Sequence, residues 1–246
     1  MRRWEQWKRC KQRKQWKRCL LLGLVLILLT GCTANHSEAY RRALDVFAGG
    51  DYEEAAQAFE KLGDYQQAAQ YAAYSRGLVL WEQGDYLSAE PYFEQCQTLL
   101  MGEKRYAYCH AFALEAAGDA AGAAEAFGQL GDFEDASLRQ YYNEGVDAEN
   151  RKDYEKALYD YTAAGDTADA ADRLLNLQGQ IYNRAIELRE ARSYEEAIYL
   201  FTLLGDYLSS ARQAVECEQI FRDAAQRASD LASRLGIQDT SETDNE

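Results

Sequence analysis

Four aspartates, Asp51, Asp85, Asp119 and Asp153, stand 34 residues apart, and Ser193 follows at a spacing of 40. A period of that length constrains the architecture strongly, because one such unit cannot bury its own apolar face and must stack on copies of itself. Registered on these anchors, the chain repeats its chemistry. Four residues on stand Ala55, Ala89, Ala123, Ala157 and Ala197; eight on stand Phe59, Phe93, Phe127, Tyr161 and Phe201; eleven on stand Leu62, Cys96, Leu130, Ala164 and Leu204. Steps of four, four and three keep these side chains on one helical face. Eight residues before each anchor the side chain is small (Ala43, Gly77, Ala111, Gly145, Ala185), and seven before it is apolar (Leu44, Leu78, Phe112, Val146, Ile186). Eleven before, it is always tyrosine: Tyr40, Tyr74, Tyr108, Tyr142 and Tyr182. Each unit therefore reads as two helices joined by a turn at the anchor.

A 34-residue helix-turn-helix period, with a small residue in its first helix and Gly-Asp-Tyr, Ala and Phe in its second, resembles the tetratricopeptide repeat (TPR). The resemblance covers about residues 36–206 in five units. It implies an all-α, right-handed superhelical solenoid, here with a C-terminal capping helix, and a role in holding partner proteins. Three features depart from the family pattern. The proline that closes each repeat is absent, and the fifth unit carries six extra residues in its first helix. Arg42, Arg76, His110, Glu144 and Arg184 occupy the slot before the small residue, where the family has leucine. Those polar residues imply a rotated first-helix face, so the family's groove positions do not transfer directly.

The turns have readable chemistry. Glycine suits a left-handed position at a helix end, and the following Asp caps the next helix. Asp51 with Glu54, and Ser193 with Glu196, have capping-box spacing. A second Gly-Asp, at Gly63, Gly131, Gly165 and Gly205, is expected to end one unit and start the next helix directly. "MGEK" at Met101 lacks that signal. The only proline, Pro91, predicts a helix that begins late, near Ser88. A long amphipathic stretch to about Leu235 suits a cap, and the acidic 236–246 predict a disordered tail.

The first 31 residues hold nine basic groups and one acid, followed by the apolar run Leu20–Leu29 and then "LTGC". A basic start, a short apolar run and small residues describe a secretory signal peptide. The Leu-Thr-Gly-Cys ending resembles the lipobox of bacterial lipoproteins. That resemblance implies cleavage after Gly31, a lipidated Cys32 and a short linker over 32–35. The competing reading is an uncleaved anchor. Removal of 1–31 takes Lys plus Arg from 27 to 18 and Asp plus Glu from 41 to 40, a net charge of about −22. Such a chain repels nucleic acid and anionic headgroups; a covalent lipid would keep it at a membrane that its charge would not. The expected location is extracytoplasmic and lipid-anchored, with an outer membrane allowed where one exists.

Beyond Cys32 the cysteines are Cys96, Cys109 and Cys217. A Cys96–Cys109 disulfide and three buried thiols are the alternatives. His36 and His110 lie far apart in sequence, no Gly-rich phosphate loop or nucleophile elbow occurs, and the carboxylates follow caps and solvent faces. The reading is a non-enzyme without cofactor or metal. The candidate binding groove is the tyrosine column Tyr40, Tyr74, Tyr108, Tyr142 and Tyr182, with Trp81 beside it; flat amphipathic rings suit an extended peptide. The alternative is that the rings pack between helices. Two functions follow: a membrane-tethered scaffold for an envelope protein or peptide segment, or a small-ligand or glycan-binding lipoprotein serving uptake or wall maintenance.

Overall fold

The computed structural model describes residues 35–235. The signal segment, Cys32 and the acidic tail lie outside the described residues. Among the described residues there are eleven helices and no strand. They are α1 (35–48), α2 (Tyr52–Glu60), α3 (Ala68–Glu82), α4 (Tyr86–Glu94), α5 (Gly102–Ala116), α6 (Ala120–Leu130), α7 (Ala136–Arg151), α8 (Tyr154–Ala164), α9 (Ala170–Glu190), α10 (Tyr194–Leu204) and α11 (Ser210–Leu235). The six extra residues of the fifth unit lengthen its first helix: α9 has 21 residues where α7 has 16.

Described residues up to Ala113 form one compact unit, and those from Leu114 form a second. In the first, α2 packs on α3 and α3 on α4; in the second, each helix from α6 to α11 packs on the next. The repeat positions supply the cores. Phe59, Phe93, Phe127, Tyr161 and Phe201 are all fully buried, as are the five alanines four residues before them. Each buried aromatic contributes about 2–3 kcal/mol. The small residue in the first helix exists for this ring. A Cβ on Gly77 would stand 2.8 Å from Cε1 of Phe93, and one on Gly145 would stand 2.7 Å from Cδ1 of Tyr161.

The two kinds of turn differ physically. At the turn inside each repeat, Gly50, Gly84 and Gly118 take φ of +89°, +74° and +79°. Lys152 and Arg192 hold the same place at +61° and +64° without being glycine. Asp85, Asp119 and Asp153 then cap through their carboxylates, which accept from the backbone N–H of Ser88, Gly122 and Lys156. Asp51 and Ser193 make no such side-chain bond, so the two expected capping boxes do not form.

Between repeats the outcome differs from the expected direct helix start. Gly131, Gly165 and Gly205 adopt φ near +60° with ψ near −120°, the first central position of a type II′ turn that only glycine fills readily. The turn closes from Phe133 N–H to Leu130 O, with the same bond from Thr167 to Ala164 and from Tyr207 to Leu204. Three residues after each glycine comes a second left-handed residue, Glu134, Ala168 or Leu208. The helix begins only then, on a fully buried small side chain: Ala136, Ala170 or Ser210. Asp132, Asp166 and Asp206 therefore do not cap. "MGEK" keeps the second half of this turn without the motif: Leu100 is left-handed, and Gly102 opens α5 with no room for a Cβ, which would stand 2.2 Å from the Cys96 carbonyl.

Pro91 lies inside α4, which begins at Tyr86 rather than near Ser88. The bond it forgoes would have reached the carbonyl of Leu87, an exposed residue whose oxygen water can satisfy.

Candidate functional site

The tyrosine column is brought indoors. Tyr40, Tyr74, Tyr108 and Tyr142 are between 2% and 9% exposed, and Tyr182 packs partly buried against the core. Tyr40 sits edge-on to Phe59, Tyr65 and Tyr71, and Tyr74 edge-on to Phe93. Tyr108 contacts Trp81, Tyr86 and Phe112 with ring centroids 5.0–5.3 Å away. In the second unit the hydroxyls find partners: Tyr142 donates to Asp169 at 2.7 Å, and Tyr182 meets Ser209 at 2.8 Å. Trp81 carries the guanidinium of Arg105 4.5 Å above its ring. Arg105 Nε and Nη1 have no hydrogen-bond partner, so the aromatic face is their counterpart. The rings pack one helical turn from the small position, beside the buried ring that fills its gap: Tyr40 against Phe59, Tyr74 against Phe93, Tyr142 against Tyr161 and Tyr182 against Phe201. Their faces serve the interior, and the packing alternative describes them.

The polar residues that depart from the family pattern pair instead with charged neighbours. Arg76 pairs with Glu53 at 2.7 Å and with Glu60 at 3.0 Å. His110 meets Glu90 at 2.8 Å, and Glu144 meets Lys156 at 2.6 Å. Three acid-rich clefts lie among the described residues, one in the first unit and two in the second. One of about 750 Å³ lies between α2 and α3, bordered by Asp51, Glu53, Glu54 and Glu82 against Lys61. One of about 500 Å³ lies among α6, α7 and α8, with Glu125, Glu144 and Asp147 against Lys156. The largest, about 860 Å³, lies among α8, α9 and α10, with Glu187, Glu195 and Glu196 against Arg184. Val79, Asp147 and Glu187, each six residues before an anchor, line their respective clefts. Acids outnumber bases at least three to one in every cleft. The third adds Tyr154 and Tyr199, the latter 54% exposed. Of the polar residues before the small position, Glu144 and Arg184 line clefts.

In the second unit a polar network links α7, α8 and α9. Tyr161 donates to Glu149 at 2.5 Å, and Arg173 reaches Glu149 at 3.3 Å and Asp169 at 3.1 Å. The Tyr142 hydroxyl, with Arg173, holds the Asp169 carboxyl below its ordinary range. Burial, with Glu149 beside it, pushes the Tyr161 phenol well up. Asp160 is a buried carboxylate paired with Lys156 at 3.0 Å, and desolvation raises it against that pull. Elsewhere in the repeat its position holds Ala58, Tyr92, Ala126 and Leu200.

Cys96, Cys109 and Cys217 are free, buried thiols, so Cys96 and Cys109 are not joined. Burial pushes Cys96 up to about 11, and burial with Glu90 pushes Cys109 up to about 12, far from a reactive thiolate. Among the described residues no three His, Cys, Asp or Glu side chains converge as metal ligands, and no helix is long and apolar enough to cross a membrane. No protein-family model matches this chain, and no curated protein matches it.

Proposed function

We propose that this chain is a non-enzymatic scaffold, a TPR-like solenoid tethered by a lipid on Cys32 to the extracytoplasmic face of a membrane, that receives basic segments of an envelope protein. The observation that carries the reading is that three clefts, one in the first unit and two in the second, each set three or four carboxylates against a single basic side chain. Clustered carboxylates suit a segment bearing Lys or Arg, and they discriminate against acidic partners and nucleic acid. The tether confines the search to the membrane plane. Crosslinking in native membranes, followed by identification of the captured protein, tests this. The chain is expected to capture one protein through a basic stretch, with capture weakened by salt and by Glu195→Lys with Glu196→Lys. Capture that is indifferent to both would remove the clefts from the reading. Cys32→Ala is expected to release the chain or leave it unprocessed.

A second reading rests on the third cleft alone. Tyr154 and Tyr199 beside three carboxylates also suit a sugar ring, which stacks on aromatic faces and donates hydroxyls to acids. A thermal shift with a cell-wall fragment, lost in Tyr199→Ala, would favour it.

A further inference from the structure

α11 carries more apolar surface than its fold uses. Ser210, Ala214, Cys217, Phe221, Ala224, Ala228, Leu231 and Leu235 follow one another in alternating steps of four and three. That 3.5-residue period is the seam of a helix meant to lie along another helix. The first three members are buried, at 0%, 7% and 0% exposure, where α11 packs on α10. From Phe221 onward the same seam is open: Phe221 is 40% exposed, Leu231 56% and Leu235 65%, with Ile220 beside them at 45%.

The preceding first helix shows what such a seam needs. In α9 the corresponding downstream residues Ile181, Ala185 and Leu188 are buried in one cluster with Ala197 and Phe201 of α10. α11 has the stripe of a first helix, and among the described residues no second helix covers it. Residues 236–246 do not resemble one: they carry four acids, and Ile237 is their only large apolar side chain.

Charge selects the occupant. Residues 218–235 hold Glu218, Asp223 and Asp230 against Arg222, Arg227 and Arg234, a net charge of zero in a chain of −14. Two copies of an acidic chain repel wherever acid-rich faces meet, and this helix is a face on which they do not. Neutrality removes the attraction to anionic lipid that a basic amphipathic helix would have. Ala224, Ala225, Ala228 and Ala232 allow close approach of a second backbone along the seam. We infer that a second copy of this chain covers the seam, the two α11 helices pairing from about Phe221 to Leu235.

The test is cysteine crosslinking of the full chain in native membranes, with Cys10 and Cys19 replaced by serine; the other thiols are buried or, at Cys32, acylated. Single cysteines at Ala224, Ala228 and Leu231 are expected to give a species of twice the chain mass with a short bismaleimide. Cysteines at Gln219 and Ser233, on the opposite face, are expected to give little. A companion measurement is sedimentation of the detergent-solubilised full chain. Phe221→Lys with Leu231→Lys should halve the sedimenting mass of the protein while leaving the far-ultraviolet dichroism of the repeats in place, since both residues lie beyond the docked turns. Three results would overturn the inference: adducts with a different protein, a monomeric wild type at every concentration, or a doubled mass that survives the double variant. Binding of the solubilised monomer to anionic vesicles, lost in the double variant, would assign the seam to lipid instead.

Discussion

Gly145→Ala and Gly77→Ala are the same change at the same repeat position, and the structure predicts opposite outcomes. Each gains about 1 kcal/mol of helix propensity. Each places a Cβ under 3 Å from a fully buried ring, Tyr161 in one case and Phe93 in the other. Phe93 has no hydroxyl to hold it, and the equivalent rings Phe59 and Phe201 share their clusters with Ala43 and Ala185, so a Cβ at this position is compatible with a buried phenyl ring. Tyr161 is pinned by its 2.5 Å bond to Glu149. It must either accept the overlap, at about 1–3 kcal/mol for an overpacked core, or give up a hydrogen bond to a charged group, at about 1.5–3 kcal/mol. Gly77→Ala should therefore fall within about 1 kcal/mol of neutral, and Gly145→Ala should lose about 1–2 kcal/mol. Urea unfolding followed by tyrosine fluorescence and dichroism measures both. The cycle with Tyr161→Phe isolates the cause: Gly145→Ala should cost about 1–2 kcal/mol less in that background. Additivity within about 0.5 kcal/mol would refute the pinned-ring argument, and so would equal effects of the two alanines.

Lys152→Gly should stabilise by about 1 kcal/mol, because Lys152 sits at φ +61° where the first three repeats have glycine; equilibrium unfolding tests it. Asp160→Leu, which installs the residue of the fifth repeat, should stabilise by about 1–2 kcal/mol at pH 7, since Lys156 keeps Glu144 and a desolvated carboxylate disappears. The folded Asp160 titrates above its unfolded value, so the penalty grows as pH rises through that window, and the gain should vanish in acid. Tyr142→Phe has the opposite sign. Asp169 titrates below its unfolded value, so the stability it contributes is present above about pH 4 and is lost as pH falls through the lowered folded value. The difference between wild type and Tyr142→Phe should therefore be largest near neutrality and shrink in acid, as unfolding across a pH series would show.

The anchors at 34-residue spacing, with their Ala, Phe and small-residue companions, determined by themselves that the chain folds as paired helices and which faces those helices bury. Local chemistry sufficed there, because a fully buried Phe59 or Phe201 requires a partner small enough to admit it. The same local reading failed at Asp64, Asp132, Asp166 and Asp206. Gly-Asp-Tyr looks alike in both turns, and only the backbone shows a cap in one and a type II′ corner in the other. Tyr40, Tyr74, Tyr108 and Tyr142 were legible as a column but not as a direction. Whether a ring one helical turn from the small residue packs inward or faces solvent depends on where the neighbouring helix lies, and that is a tertiary fact. The clefts were hidden for the same reason: Glu187, Glu195 and Tyr199 share no short motif and meet only when α9 and α10 pack. What the sequence settled was periodic and local; what it left to the tertiary structure was each contact made between helices distant along the chain.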